Sequence, residues 1–565
     1  MKKRNIRQCV LLLCGIVLLG LISSKFFFRI DLTAEKRFTL SANTKQILRQ
    51  LDEPLYMDIY LDGDLPAGFR KLRNGVREML NDFKTYAGSR IVYQFIDPSD
   101  AENGEKRKEL HAMLEDAGVR KITVNKKNKD ESQSQQLVFP GAIAYYKDRQ
   151  VAFNLLSDNR VQSAEAVLNA SLGALEYELI KNVSLLSTDS IGRVAFTIGH
   201  GESGRAETYD LAYELANYYH VDRKAINGQV NALDRYKAVI IVKPQEPFDE
   251  KDKFIIDRYI MRGGKVMWLI DAVSVNVDSL FSTGMTFALP LSLNLEDQLF
   301  TYGVRVNANI IQDIVYNTIP VRSADGTSRI SLAPWLYYPL LNPSPDHVAT
   351  RNLNPLWLRY ASDIDTVGMN SGVRKTVLLQ SSAESRTKST PFMISLGEVE
   401  RMLDPQSFNK PHRITAVLLE GKFPSIYRSR NVRNMFPELQ EEQAGVSIDT
   451  KMVVISDGDI ACNDVRNTPD GPVAANPLGY DRSTEQTFSN KEFLINTLNY
   501  LTDDAGLMQL RNREFRLRLL DRQKTSSGLL KWQIINVALP VFILACGGWI
   551  YGKWRRRRYG RIVGS

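Results

Sequence analysis

Between Trp532 and Tyr551 the chain reads WQIINVALPVFILACGGWIY, 20 residues without a charged side chain. At about 1.5 Å per residue, such a helix covers the roughly 30 Å hydrocarbon core of a bilayer. Trp532, Trp549, Tyr551 and Trp554 stand where interfacial aromatics belong. Pro540 and the Gly547-Gly548 pair are tolerated in membrane helices. A buried core helix of a soluble protein would also be apolar, but the KWRRRR run that follows (Lys553, Arg555 to Arg558) reads as a stop-transfer signal.

A second apolar run, Cys9 to Ile22, has the length of a signal-peptide core. Its only approach to a cleavage site is Ile22-Ser23-Ser24, with a large residue where a small one is needed. Past Lys25, which can snorkel, the chain is apolar again to Phe28. The run is read as an uncleaved anchor, with a cleaved signal peptide as the alternative. Cys14 follows Leu13 and so lacks the small preceding residue of a lipoprotein site. Lys2, Lys3, Arg4 and Arg7 precede the first run, and Lys553, Arg555 to Arg558 and Arg561 follow the second. The positive-inside rule then predicts both termini in the cytoplasm, both helices in the inner membrane and the bulk of the chain in the periplasm.

This topology also explains the charge. The formal net charge is +9, from 73 basic and 64 acidic residues. Without the ten basic residues of the two tails, 63 basic residues remain against those 64 acidic ones. The basic character therefore belongs to topology, and no nucleic-acid partner is implied. Of the cysteines at 9, 14, 462 and 546, only Cys462 lies outside the expected membrane segments. The ectodomain must therefore hold itself together by its core.

The expected fold class is α/β, with two units between the transmembrane helices. Residues 29–187 read as helix to Leu51, strand 55–61, helix 69–87, strand 91–96, helix 105–117, strand 119–124, strands 137–146 and 150–156, and helix 164–183. That succession suggests a thioredoxin-like unit. Its redox chemistry would need a CxxC motif, which the sequence lacks, so only the scaffold is implied. Residues 188–505 read as a larger, doubly wound (Rossmann- or flavodoxin-like) unit. Its expected strands are 193–198, 238–242, 265–270, 376–380, 414–419 and 452–456, and its helices 206–217, 249–261 and 491–501. A Pro-rich aromatic insertion is expected near 285–375, and long loops at 405–450 and 463–488. Residues 1–28 form the first tail and anchor, 506–531 a membrane-proximal segment, 532–551 the second anchor and 552–565 a basic tail.

Gly199-His200-Gly201-Glu202-Ser203-Gly204 matches GxGxxG between a strand and a helix, and Asp222 lies near where a ribose-binding acid would stand. The topology puts this loop away from the nicotinamide pool, and a tight turn suffices to explain the glycines. No cofactor is assigned, and His200 and Glu202 are kept as anchors of the turn or as contacts for a ligand or partner. Ser456-Asp457-Gly458-Asp459 resembles the start of a calcium loop, but Ala461 cannot coordinate and no Glu closes the loop, Pro469 lying nearest its end. No metal is assigned there, and Asp457 and Asp459 remain candidate contacts within a structural turn. Cys462 reads as a buried thiol rather than a nucleophile. HExxH, GxSxG and GxxxxGK[ST] do not occur, so the chain does not hydrolyse ATP by the P-loop route.

Six stretches in order resemble the GldG family, auxiliary subunits of an ABC-type transport system tied to gliding motility in Bacteroidota. They are RIDLTAEKRFTLSANTKQIL (29–48), FTIGHGE (196–202), LEDQLFTYGVRVN (295–307), VLLEGKFPSIYRSR (417–430), VVISDGDIACND (453–464) and NPLGYDRSTEQTF (476–488). The resemblance implies a non-catalytic, substrate-binding-like partner of an ATPase, GldA, and a permease, GldF, anchored in the lipid bilayer. It supplies no catalytic residues, and members occur in bacteria that do not glide. Two other functions are weighed: an envelope hydrolase or amidotransferase on the α/β scaffold, and a structural or sensory envelope protein.

Overall fold

Ser41 caps the first helix: its hydroxyl accepts from the Thr44 amide at 2.9 Å at the start of α1 (Ala42–Arg49). The computed structural model describes residues 39–100, 103–127, 133–156, 164–188, 191–322, 330–368, 372–400, 404–429, 444–469, 471–512 and 529–559. The expected first anchor and residues 513–528 of the expected membrane-proximal segment lie outside them. The chain separates into a compact part ending at Arg513 and a C-terminal part from Glu514.

The first elements are β1 (Leu55–Ile59), α2 (Ala67–Ala87), β2 (Ile91–Phe95), α3 (Gly104–Asp116), β3 (Ile122–Lys127), β4 (Gln133–Val138), β5 (Gly141–Tyr146), β6 (Arg149–Asn154) and α4 (Ala164–Ser187). Four strands form a sheet in the order β2-β1-β5-β6, with β1 and β2 parallel and the other pairings antiparallel. Phe69, Leu72, Val76, Leu80 and Phe83 recur at helical spacing on α2 and are buried with α1 and α4 against one face. Leu114 of α3 packs with Tyr60, Phe139 and Ile143 on the other.

The expected single strand 137–146 is two strands in two different sheets. Pro140 has no amide hydrogen to give a ladder, and the chain changes partner there. Upstream of it, β4 pairs with β3 in a separate hairpin. The strand expected at 119–124 is therefore displaced to Ile122–Lys127 and takes no part in the main sheet.

The second sheet has seven strands. β7 (Arg193–Ile198), β8 (His220–Ala225), β9 (Ala238–Val242) and β10 (Lys265–Leu269) alternate with α5 (Tyr209–Leu215) and α6 (Glu250–Met261). Then come β11 (Val273–Val275), α7 (Val277–Thr283), β12 (Met285–Pro290), α8 (Glu296–Tyr302), β13 (Val304–Val306), β14 (Asn309–Asp313), β15 (Tyr316–Arg322), β16 (Ile330–Leu341), β17 (Leu356–Trp357) and β18 (Ile364–Thr366). β19 (Val373–Gln380), β20 (Ser385–Ser389), β21 (Phe392–Ser395), β22 (Ile414–Gly421), β23 (Thr450–Ile455) and α9 (Asn490–Thr502) follow. The large sheet runs β19-β22-β23-β10-β9-β7-β8. It is parallel from β23 to β8, while β22 and β19 run antiparallel to their neighbours. Both faces are buried, one beneath α6 and α8 and the other beneath α5 and α9. That two-sided burial is why β9 reads AVIIV without alternation.

Three expectations change. The strand β8 is additional: its residues HVDRKA are polar and half-exposed at the sheet edge, so they carry no apolar signal. The helix expected at 206–217 is shortened to α5. The insertion is larger than expected, because β20 and β21 pair with β14 and β12 and so extend it past β19. Within it the Pro-rich aromatic segment PWLYYPLL is strand. Trp335 and Tyr337 enter a core, and a register shift against β15 accommodates Pro334 and Pro339.

The two ends of the compact part meet. Glu176 Oε1 accepts from the Ser41 amide at 2.7 Å and the Thr44 hydroxyl at 2.8 Å, and the Asn43 amide side chain donates to the Ala505 carbonyl. Leu507, Met508 and Leu510 are buried in the same core as Leu40 and Leu48. In the C-terminal part, α10 (Leu529–Tyr559) contains a stretch, Ile534–Arg557, long and apolar enough to cross a membrane.

Candidate functional site

The strands β7, β9, β10 and β23 all end at one edge of the large sheet, the edge where open α/β folds gather their polar groups. The chain winds from β7 outward to β8 and then returns to β9 on the other side of β7, so the topological switch lies between β7 and β9. Loop 199–204 fills that position. His200 O accepts from the Gln245 and Glu246 amides, both at 2.9 Å, and the Ser203 amide donates to Val242 O at 3.0 Å. Gly201 has φ +68°, and a Cβ there would meet Gln245 Cβ at 3.1 Å, so close approach of two loops requires this glycine.

His200 is buried, stacked on Phe248 with ring centroids 3.8 Å apart. Its Nε2 lies 3.2 Å from Asp252 Oδ2 and its Nδ1 3.5 Å from Glu202 Oε1. Burial pushes the imidazole pKa down, but the hydrogen bonds and charges of Asp252 and Glu202 outweigh it and raise the value to about 9. Glu202 is buried too; its hydrogen bonds to the ring and amide of His200 outweigh the cost of burial and hold its carboxyl below the usual range. His200 and Glu202 therefore form an ion pair inside the turn, and His200 ties it to α6 through Asp252. The dinucleotide reading meets two further obstacles. Glu207 Oε2 takes the Gly204 amide at 2.5 Å, and Asp222 sits mid-strand opposite Ala195, paired with Arg193 at 3.1 Å.

Asp457 and Asp459 belong to a second cluster on the same edge. Lys243, directly after β9 and with φ +51°, places Nζ 2.5 Å from Asp459 Oδ1 and 3.9 Å from Asp271 Oδ2. Asp271 Oδ1 accepts from the Gly458 amide at 2.6 Å. Asp457 is fully buried, with its oxygens accepting from the Asp459 amide at 2.8 Å and the Arg359 amide at 2.7 Å. A Cβ on Gly458 would lie 2.6 Å from Lys243 Cβ, so this turn closes only with glycine. Burial, and then Asp459, raise the Asp271 carboxyl to about 6. Burial, and then Asp459 and Asp271, push Asp457 well above the carboxylate range. The calcium-like motif is thus a turn whose carboxylates serve backbone amides and one lysine.

Cys462 is a free thiol whose partners are Ser203 Oγ at 3.2 Å and Gly458 O at 3.4 Å, neither of them a base. Burial, reinforced by Asp459, pushes its pKa up, away from thiolate chemistry. Beside it a small pocket is lined by Trp357, Arg359, Asp459, Cys462, Asp464 and the Pro477–Tyr480 turn. The Arg359 guanidinium lies 4.1 Å from the Trp357 ring centroid and 3.1 Å from Asp464 Oδ1.

The sequence-predicted residues thus fall into two neighbouring clusters, His200–Glu202 and Asp457–Asp459, joined through the 243–246 loop. Asp252, Lys243, Asp271 and Arg359 escaped the sequence reading. Lys243 and Asp271 had a usable signal, since each stands just beyond an apolar strand of a parallel sheet. Asp252 and Arg359 had none.

Residues 192–497, more than half of the chain, match a family described as an ABC-type uncharacterized transport system, and residues 34–145 match a domain of unknown function. A protein of Borreliella burgdorferi, described as uncharacterized, is 21% identical over 443 residues, covering 77% of this chain and 80% of that protein. Among solved structures, the N-terminal domain of mmIFT52 aligns with a TM-score of 0.32 at 11% identity, covering 55% of this chain and 97% of that one. The chain belongs to the ABC-type transport system auxiliary family that its residues 192–497 match, as a component of an ABC transporter.

Proposed function

We propose that this protein is a non-catalytic, membrane-anchored auxiliary subunit of a GldG-type ABC transporter. In this reading apolar helices at both ends hold it in the inner membrane, with both termini cytoplasmic and the ectodomain periplasmic. The observation that carries the reading is the family match over residues 192–497. An ABC-type system implies a separate ATPase and permease, which would resemble GldA and GldF. The absence of GxxxxGK[ST] from the sequence agrees with that division of labour. The exposed apolar surface of α10 supports membrane association, and the six stretches shared with the GldG family support the finer assignment.

The ectodomain would comprise a thioredoxin-like domain, 29–187, and a doubly wound domain, 188–505. Support for the first is the β2-β1-β5-β6 order with its one parallel pair, and for the second the parallel strands covered by helices on both faces. The contact surface for a ligand or partner would be the strand-end edge. FTIGHGE, VVISDGDIACND and NPLGYDRSTEQTF, far apart in sequence, all border it, and the last two line the pocket beside Arg359. Asp459 and Lys243, partly exposed, would make contact, while His200, Glu202 and Asp457 would hold the edge in shape.

Affinity purification of the tagged full-length chain in mild detergent is expected to recover an ABC ATPase and a multi-span permease. Recovery of neither, with the bait intact, would overturn the assignment.

A further inference from the structure

Four exposed or half-exposed cations near the start of the fold have no carboxylate partner among the described residues. Each lies instead against an aromatic ring. Lys45 Nζ and the Arg49 guanidinium are 5.2 and 5.8 Å from the Tyr86 ring centroid. Lys84 Nζ is 4.5 Å from that of Tyr93, and Arg77 is 4.8 Å from that of Phe95. The Tyr93 and Phe95 rings meet edge-on at 5.9 Å, and the Tyr93 hydroxyl donates to Asn81 Oδ1 at 2.7 Å. The rings thus hold the charged groups themselves at the surface, where Arg49, Arg77 and Lys84 are exposed and Lys45 is half-exposed. α1 and α2 together carry seven basic and two acidic residues, whereas the chain outside its tails is near neutral.

We propose that this face of α1, α2 and β2 docks on anionic phospholipid headgroups of the membrane that anchors the chain. Three observations favour lipid over an acidic protein. The cations ride on an open surface rather than lining a groove. Their aromatic supports suit the headgroup zone, where rings with one wet edge are stable. The third is reach: only residues 29–41 separate α1 from the apolar run that ends at Phe28. Fully extended, those residues span about 45 Å, so a face tethered there stays near the bilayer at high effective concentration. The proposal rests on the reading of Cys9 to Phe28 as an anchor.

The test uses the full-length chain, reconstituted into vesicles, with a fluorescent amino acid at the exposed Thr85 and an acceptor dye on lipid headgroups. One set of vesicles is phosphatidylcholine alone, the other equal parts phosphatidylcholine and phosphatidylglycerol. Energy transfer is expected to be higher with phosphatidylglycerol. It should fall to the phosphatidylcholine level in half-molar salt, where the screening length shrinks to about 4 Å. The combined variant Lys45→Gln, Arg49→Gln, Arg77→Gln, Lys84→Gln should give the low level in both lipids at an unchanged melting temperature. Equal transfer in the two lipids, or an increment that survives the variant, overturns the proposal. So does an increment seen only when permease is co-reconstituted, since the face would then meet protein. A mature chain lacking residues 1–24 by mass would remove the tether and overturn it as well. If the lipid-dependent increment is present but no ATPase or permease is recovered on purification, the transporter assignment fails and the docking surface stands.

Discussion

At the level of single residues, the strand-end edge is governed by what a buried charge needs. His200 is acceptable in its setting because Asp252 and Glu202 flank it and Phe248 stacks on it. Its folded-state pKa of about 9 lies above the ordinary 6.5. A raised value means that folding favours the protonated ring. The resulting stabilisation is fully present below pH 6.5 and is lost as pH rises through about 9. The rise from 6.5 to about 9 sets an upper limit of about 3.4 kcal/mol, which solvent screening reduces. The melting temperature of the full-length protein in detergent should therefore fall between those two pH values, and His200→Gln should flatten that fall. An unchanged slope in the variant would mean that another group titrates.

Among the elements, α6 shows how one helix joins local signal to long-range need. Asp249, expected as the first residue of this helix, is instead its cap, Oδ1 accepting from the Asp252 amide at 2.7 Å. The cap also orients Asp252, whose Oδ1 accepts from the Gly228 amide at 2.7 Å while Oδ2 faces His200. Further along, the buried Asp257 accepts from Tyr302 of α8 at 2.7 Å and from Ser425 at 2.6 Å. Two of the stretches that resemble the GldG family thus close on α6 for packing. Asp249→Ala should cost about 1 kcal/mol from the cap alone. It should also lower the apparent pKa of His200, which NMR of the imidazole would report, because Asp252 loses its fixed position. A stability loss with the His200 titration unmoved would confine Asp249 to capping.

For the whole molecule, the compact part is closed by its own ends. The segment after α9 returns to the first sheet, burying Leu507, Met508 and Leu510 beside Leu40 and Leu48, and the Tyr177 hydroxyl meets Met508 Sδ at 2.7 Å. Each buried leucine lost from such a core costs about 2–5 kcal/mol. Leu507→Ser combined with Leu510→Ser should therefore speed hydrogen exchange in α1 and α4, while β7, β9 and β10 keep their protection. Equal loosening of both sheets would show instead that the compact part opens as a single cooperative unit.

Much of this was legible beforehand, for identifiable reasons. The apolar C-terminal helix, the α/β class and the buried strands β7, β9, β10 and β23 follow from local periodicity and side-chain chemistry. Those signals are complete within a few residues. The edge strand β8, the break at Pro140, the strand through Pro334 and Pro339, and the extension of the insertion past β19 depend on which segments find each other, and short-range pattern does not contain that. The same division runs through the candidate site. His200, Glu202, Asp457 and Asp459 stood out in sequence because glycines and acids cluster around them. Their partners Asp252, Lys243 and Asp271, and so whether each carboxylate is an exposed contact or a buried ion pair, were decided only when four strand ends were brought to one edge.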